Sequence, residues 1–145
     1  MTRLMFVSLM LILSSQASHA QQRSCSLVES EQADREASRL RTWDALYRSY
    51  HRFVPRCDDG SIAEGYSESV RRILLDHWVA LPRVSALSTN DPGFRKFVLR
   101  HIDATIDIRD LSKIKRVAMH NCPSGETDLC QQIRLAADHA LKEPQ

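Results

Sequence analysis

The residues whose chemistry could serve catalysis or metal binding are dispersed along the chain. There are six histidines, but no two have the i, i+4 spacing that places two metal ligands on one helical face. His77 follows Asp76, yet adjacent helical residues do not face each other, so we expect His77 to pack at or near the core. Ser61, Ser67 and Ser69 lie near carboxylates without forming a Gly-x-Ser-x-Gly elbow. The sequence therefore predicts a protein that is not an enzyme and has no catalytic residues, metal or cofactor.

The four cysteines are Cys25, Cys57, Cys122 and Cys130. Their spacing does not provide the two close cysteine pairs typical of a zinc site, whereas an even number of cysteines in an exported chain favours disulfides. Cys122 and Cys130 flank a Pro-Ser-Gly turn, which favours a local bridge between them. A bridge from Cys25 to Cys57 needs a bend or break in the intervening helix, since that helix would be roughly 40 Å long if straight. The alternative joins Cys57 to Cys122 or Cys130, and the spacing leaves this choice open.

The N-terminus has the order of features found in a secretory signal peptide. Arg3 precedes an apolar run from Leu4 to Leu13, and Ser18 and Ala20 place small residues at the −3 and −1 positions of a cleavage site. The run is too short to span a bilayer, which takes roughly 20 apolar residues. We expect residues 1–20 to be removed, leaving a single domain over 21–145 in the periplasm or outside the cell, with no membrane attachment.

Charge excludes two further classes of partner. The chain has 20 Lys and Arg against 18 Asp and Glu, and of these only Arg3 lies within residues 1–20. The remaining charges are nearly balanced and interspersed. Such a distribution lacks the basic surface that nucleic acid or an anionic membrane would require.

Apolar residues recur at three- and four-residue intervals, which is the pattern of amphipathic helices. A long first helix is predicted over roughly 27–53, opened by a Ser26–Glu29 capping box. Ser61 and Glu64 repeat that box at the start of a second helix, which Pro82 is expected to close.

Three more helices follow along the chain. The third begins with Asp91 as N-cap and Pro92 at the first helical position, the fourth covers roughly 110–121, and the fifth begins near Thr127. Gly65 inside the second helix indicates a close approach, most simply by another helix. The predicted fold is an all-α, compact, disulfide-stabilised bundle of about five helices.

The segment Cys57-Asp58-Asp59-Gly60-Ser61-Ile62-Ala63-Glu64-Gly65-Tyr66-Ser67-Glu68-Ser69 resembles two groups of proteins. One comprises small exported proteins of Gram-negative bacteria, and the other is the family of type VI secretion amidase immunity proteins. The resemblance extends from this segment into the aromatic helix that follows it and covers about a third of the chain after the signal peptide. It implies a small helical periplasmic protein that binds and blocks an exported amidase toxin through a loop between helices, without catalysis of its own.

We therefore expect a protein-binding module. Two candidate contact regions are the polar connector 85–91, in which Ser88, Thr89 and Asn90 could enter a partner's cleft, and the acidic turn of Asp58 and Asp59. The alternative function is a small-ligand-binding or chaperone-like bundle. Its cavity would be lined by Trp43, Tyr47, Tyr66 and Trp78.

Overall fold

The computed structural model describes residues 24–54 and 56–144. Within these ranges the chain forms seven α-helices and one 3₁₀ helix, and no strand. The α-helices are α1 (Leu27–Ala37), α2 (Trp43–Phe53), α3 (Gly60–Asp76), α4 (Pro82–Ser88), α5 (Pro92–Arg100), α6 (Ile108–His120) and α7 (Thr127–Ala140), with the 3₁₀ helix Trp78–Ala80 between α3 and α4. The predicted all-α class is confirmed, with seven helices rather than about five. The predicted signal peptide, residues 1–20, lies outside the described residues.

The single helix predicted over 27–53 is wrong, because the chain breaks between α1 and α2. Ser69 of α3 provides the tertiary cause: its hydroxyl donates to the Ala37 carbonyl and accepts from the Leu40 backbone N–H at 3.1 Å. Thr42 then caps α2 by accepting from the Ala45 N–H. A buried hydroxyl and an N-cap together replace the intrahelical hydrogen bonds that a continuous helix would have made.

This break lets the two ends of the α1–α2 pair meet. Cys25 and Cys57 form a disulfide with a Cα–Cα distance of 5.1 Å, which we call the long-range disulfide. Cys122 and Cys130 form the local disulfide that the sequence predicts, with a Cα–Cα distance of 6.0 Å. Two such bridges are typical of a chain that folds in a non-reducing compartment.

The start of α3 differs from the predicted capping box. Asp59 is the N-cap and accepts a hydrogen bond from the Gly60 N–H at 2.8 Å, while Ser61 donates to Asp34 on α1 at 2.7 Å. Glu64 is exposed and has no capping role. The close approach predicted at Gly65 is confirmed, since a Cβ there would lie 3.0 Å from the Cβ of Ala37.

The second predicted helix is also too long at its C-terminus. It ends at Asp76, and His77 is an exposed C-cap residue rather than a packed one. Pro82, expected to close that helix, instead occupies the first position of α4, where its missing N–H costs no helical hydrogen bond. The predicted connector 85–91 is therefore partly helical.

The C-terminal helices follow the sequence closely. Asp91 caps α5 and Pro92 begins it, as predicted. Helix α6 begins at Ile108, two residues before the predicted start, because Asp107 is its N-cap. Helix α7 begins at Thr127 as expected.

One hydrophobic core joins the helices. Its largest fully buried side chains are Tyr66, Phe53, Phe94, Leu46, Ile73, Leu74, Leu81, Leu111, Ile114, Leu129, Ile133 and Val70. Full burial of a large aliphatic or aromatic side chain contributes roughly 1.5–3 kcal/mol, so this layer is the main source of stability. Among the described residues, no helix combines the length and hydropathy needed to cross a bilayer.

Candidate functional site

The predicted contact turn Ser88–Asn90 lies between α4 and α5. Ser88 is the last residue of α4 and is half-buried, and the Thr89 hydroxyl donates to the Ser85 carbonyl at 3.1 Å. Thr89 and Asn90 are exposed. Thr89 is thus partly fixed at the helix end, and the side chain of Asn90 faces solvent.

Aromatic residues of α2 form a surface that we call the Tyr–His patch, consisting of Tyr47, Tyr50 and His51. The ring centroids of Tyr47 and His51 lie 4.4 Å apart with an edge-on geometry, and those of Tyr50 and His51 lie 5.1 Å apart. Both tyrosines are half-buried, packing on the fully buried ring of Phe94 at 4.9 and 5.6 Å. The core thereby holds a rigid aromatic surface of which His51 is the most exposed part.

Asp91 joins this patch to the turn. Its Oδ1 accepts from the Gly93 N–H at 3.1 Å, while its Oδ2 lies 3.1 Å from Nε2 of His51. One carboxylate therefore caps α5 and also lies against the imidazole. Asp91, which follows Asn90 in the chain, thus contacts the Tyr–His patch. The Ser88–Asn90 turn and the patch therefore form one continuous surface.

The approach of α5 to this patch depends on Gly93. A Cβ at that position would lie 2.5 Å from the Tyr50 hydroxyl oxygen, a separation that requires movement. Burial raises the pKa of Tyr50, and the neighbouring Asp91 charge adds to the effect. Tyr50 is accordingly held as a neutral phenol at this helix crossing.

The fold also brings together a Ser–His–Asp arrangement that the sequence spacing does not reveal. Nδ1 of His101 lies 3.0 Å from Oγ of Ser67, and Nε2 lies 3.2 Å from Oδ1 of Asp58. Ser67 additionally donates to Oδ2 of Asp103 at 2.7 Å, and Arg100 pairs with Asp58. These residues connect α3, the C-terminal end of α5 and the loop after the long-range disulfide.

The donor and acceptor roles in this network depend on the tautomer of His101, since either Oγ of Ser67 or Nδ1 of His101 can donate across their contact. Ser67 has one hydroxyl proton, and its Oγ lies within hydrogen-bonding distance of Oδ2 of Asp103, the Ala63 carbonyl and Nδ1 of His101. The network therefore shares one hydroxyl proton among several acceptors.

Burial separates this network from solvent. Ser67 is 1% exposed, His101 is 2% exposed, and the side chain of Asp58 is 5% exposed. A serine nucleophile must be reachable by its substrate, which Ser67 Oγ in this conformation is not. The arrangement therefore acts in packing, holding three segments together through a paired and hydrogen-bonded polar cluster.

The burial of Asp58 corrects a sequence expectation. Asp58 was expected to present an exposed carboxylate, which is wrong, since His101 and Arg100 occupy it. Asp59 is exposed, but it caps α3. The acidic turn thus has a structural role at both residues, and only Asp59 is accessible to a partner.

The four aromatic residues proposed to line a ligand cavity do not enclose one together. Tyr66 is fully buried, with its hydroxyl 3.0 Å from that of Ser49 and its ring edge-on to Phe97. Trp78 donates its indole N–H to the Asn121 carbonyl at 2.7 Å. Tyr66 is used in packing and Trp78 in an interhelical hydrogen bond, and Trp43 lines a surface cleft.

A short Ser-x-x-Lys sequence, Ser112 to Lys115, lies on α6, and both side chains contact other residues. Ser112 donates to the Ile108 carbonyl at 2.8 Å, and Lys115 pairs with Asp138 on α7 at 2.5 Å. Their side chains serve α6 and its contact with α7 rather than each other.

An acidic surface cleft of about 410 Å³ lies between α3 and the start of α6. Three of its four carboxylates are paired with cations: Glu68 with Arg71 at 2.7 Å, Asp110 with Arg71 at 2.9 Å and Lys113 at 3.0 Å, and Asp107 with Arg109 at 3.2 Å. The fourth, Glu64, makes no ion pair with a described residue. These contacts lower the pKa values of Glu68 and Asp110. No group of three or more His, Cys, Asp or Glu suited to a metal ion occurs among the described residues.

Comparison with known proteins does not assign this chain to a family. The chain matches no protein-family model, no curated protein and no solved structure. The resemblance of segment 57–69 to amidase immunity proteins stays a prediction from the sequence. The surface formed by the Tyr–His patch and the Ser88–Asn90 turn is identified as the candidate functional site from its contacts and exposure alone.

Proposed function

We propose that this chain is an exported protein-binding module that acts in the periplasm. The resemblance of segment 57–69 gives the specific case: an immunity or inhibitor protein that blocks a cell-wall amidase. The observation that carries the binding proposal is the Tyr–His patch, a half-exposed aromatic surface continuous with an exposed polar turn.

Aromatic side chains support this proposal for a physical reason. Tyrosine presents a large, rigid contact area with a polar tip, and it is enriched at the centres of protein interfaces. Tyr47 and Tyr50 are already fixed by Phe94, so little side-chain entropy is lost when a partner covers them. The exposed Thr89 and Asn90 provide the polar rim that such a centre needs.

Position-specific photo-crosslinking tests the proposal directly. We expect a photoreactive phenylalanine at Asn90 to crosslink one protein in the cell envelope, while the same group at exposed Arg109 on α6 does not. If that partner is an amidase, the purified chain should block its release of peptides from cell-wall sacculi. Crosslinking that is identical at both positions would remove this surface from the binding proposal.

Export is a separate part of the proposal and has its own test. The chain recovered from the periplasm should begin at Gln21, as read by mass spectrometry of the intact protein. Recovery with Met1 still present in that fraction would contradict cleavage after Ala20.

A further inference from the structure

A second surface cleft shares no residue with the Tyr–His patch. It lies where the N-terminal end of α2 faces the end of α3 and the 3₁₀ helix, has a volume of about 310 Å³, and is called here the Trp43 cleft. Trp43, Ile73, Val79 and Ala80 provide its apolar side. This volume lies at the small end of the range for ligand sites, which is about 300–1,000 Å³.

Two features of the cleft are energetically unfavourable when no ligand occupies it. Trp43 is 2% exposed, and its indole N–H has no hydrogen-bond partner among the described residues. Val79 is 87% exposed, more than the other exposed large hydrophobic residues of the described chain. Buried donors without acceptors are rare in folded proteins, and this one occurs where apolar surface is also left uncovered.

The charges around the cleft favour a monoanion. Arg83 is neutralised by a two-pronged contact with Asp44, with Nη2–Oδ1 and Nε–Oδ2 distances of 2.6 and 3.1 Å. Arg41 lines the same cleft and makes no ion pair with any described residue. Trp43 and Asp44 begin α2, where backbone N–H groups lack helical partners and the helix dipole favours a negative charge.

We infer that the Trp43 cleft binds a small aliphatic monocarboxylate. The carboxylate lies between Arg41 and the N-terminus of α2, and the aliphatic chain covers Val79 and Ala80, which are both exposed. Binding reorients the indole so that a carboxylate oxygen accepts from Trp43 Nε1. This site is independent of the proposed partner surface, because the two use different residues and different ligand chemistry.

Hexanoate is the probe that tests this inference on the oxidised chain without its signal peptide. Nuclear magnetic resonance resolves the indole N–H signals of the two tryptophans, and a Trp78→Phe variant assigns them. We expect hexanoate to shift the Trp43 signal saturably. Arg41→Gln should weaken binding about tenfold, the scale expected for losing one charged hydrogen bond. Arg109→Gln, which removes an exposed arginine on α6, should leave binding unchanged.

Two further ligands separate the chemistry. 1-Hexanol has the same chain without the charge and should bind at least about tenfold more weakly, while N-acetyl-leucine represents a peptide carboxyl terminus. Val79→Asp, which places a negative charge at the cleft mouth, should also weaken hexanoate binding. The inference is overturned if hexanoate produces no saturable shift, or if Arg41→Gln binds hexanoate as tightly as the unaltered chain does. It is also overturned if 1-hexanol binds as tightly as hexanoate, or if N-acetyl-leucine binds more tightly than hexanoate.

Discussion

Replacing His101 with Phe removes the centre of the buried polar cluster while keeping a ring of similar size. Two hydrogen bonds disappear, one with Oγ of Ser67 at 3.0 Å and one with Oδ2 of Asp58 at 3.4 Å. A neutral hydrogen bond contributes about 1 kcal/mol and one to a charged group about 1.5–3 kcal/mol. Asp58 also stays buried with Arg100 as its remaining ionic partner. We therefore expect His101→Phe to lower the free energy of unfolding by about 2–4 kcal/mol.

Urea unfolding of the oxidised protein, followed by tryptophan fluorescence, measures this loss. His120→Phe is the matched control, because His120 is an exposed residue at the end of α6 and its replacement should change stability by less than about 0.5 kcal/mol. If the cluster acts as a unit, Asp58→Asn should cost clearly less in the His101→Phe background than alone, by at least about 1 kcal/mol. Additive effects, or a His101→Phe protein as stable as the control, would refute this reasoning.

Three further outcomes follow from other contacts. Removing the long-range disulfide by Cys-to-Ser exchange should lower the free energy of unfolding by about 4 kcal/mol, because a loop of 32 residues is released. Removing the local disulfide should lower it by about 2.5 kcal/mol, because its loop has only 8 residues. Equal losses in urea unfolding would contradict this order. Burial raises the pKa of Tyr66 to about 12, so the folded state holds the phenol proton more tightly than the unfolded chain. Its contribution to stability should be complete below about pH 10 and be lost as the pH rises towards 12, a dependence that Tyr66→Phe should remove. Gly93→Ala should destabilise the protein by about 1–3 kcal/mol, because its Cβ meets the Tyr50 hydroxyl, and Tyr50→Phe should recover part of that loss. If Gly93→Ala caused no loss in thermal unfolding, the close approach of α5 to Tyr50 would be contradicted.

Signals confined to a few neighbouring residues predicted the structure well. Asp91 and Pro92 marked the start of α5 because an N-cap and a first-turn proline act through adjacent backbone groups. The Cys122–Cys130 bridge was predicted because only a short turn separates the two residues. Gly65 indicated a close helix contact, although the sequence did not say that α1 would provide it.

Features set by tertiary contacts could not be predicted from neighbouring residues in the sequence. The break after Ala37 depends on a serine about thirty positions later, which periodicity along residues 27–53 does not contain. Asp59 and Ser61 are both good N-caps, and the contact of Ser61 with Asp34 on α1 decides between them. His101 lies on the apolar face of α5 with Phe97, which gave a signal for burial but none for its partners Ser67 and Asp58.

The candidate surface was half predictable from the sequence. The polar turn of Thr89 and Asn90 was identified from its composition and its flanking prolines. Tyr47 was expected to line a ligand cavity instead. The meeting of Tyr47 and Tyr50 with the turn depends on Asp91 contacting His51, a pairing between α2 and the start of α5 that no local pattern reports.

The affinity of the crosslinked partner for defined variants of this surface tests the central claim most directly. By titration calorimetry, the Thr89→Ala, Asn90→Ala double variant and Tyr47→Ala should each bind at least about tenfold more weakly than the unaltered chain, the scale of interface residues that cost over 1 kcal/mol. Arg109→Ala on α6 should bind as the unaltered chain does, and each variant's far-UV circular dichroism should remain helical. Equal affinities for all three variants would contradict a partner surface built from the Tyr–His patch and the Ser88–Asn90 turn.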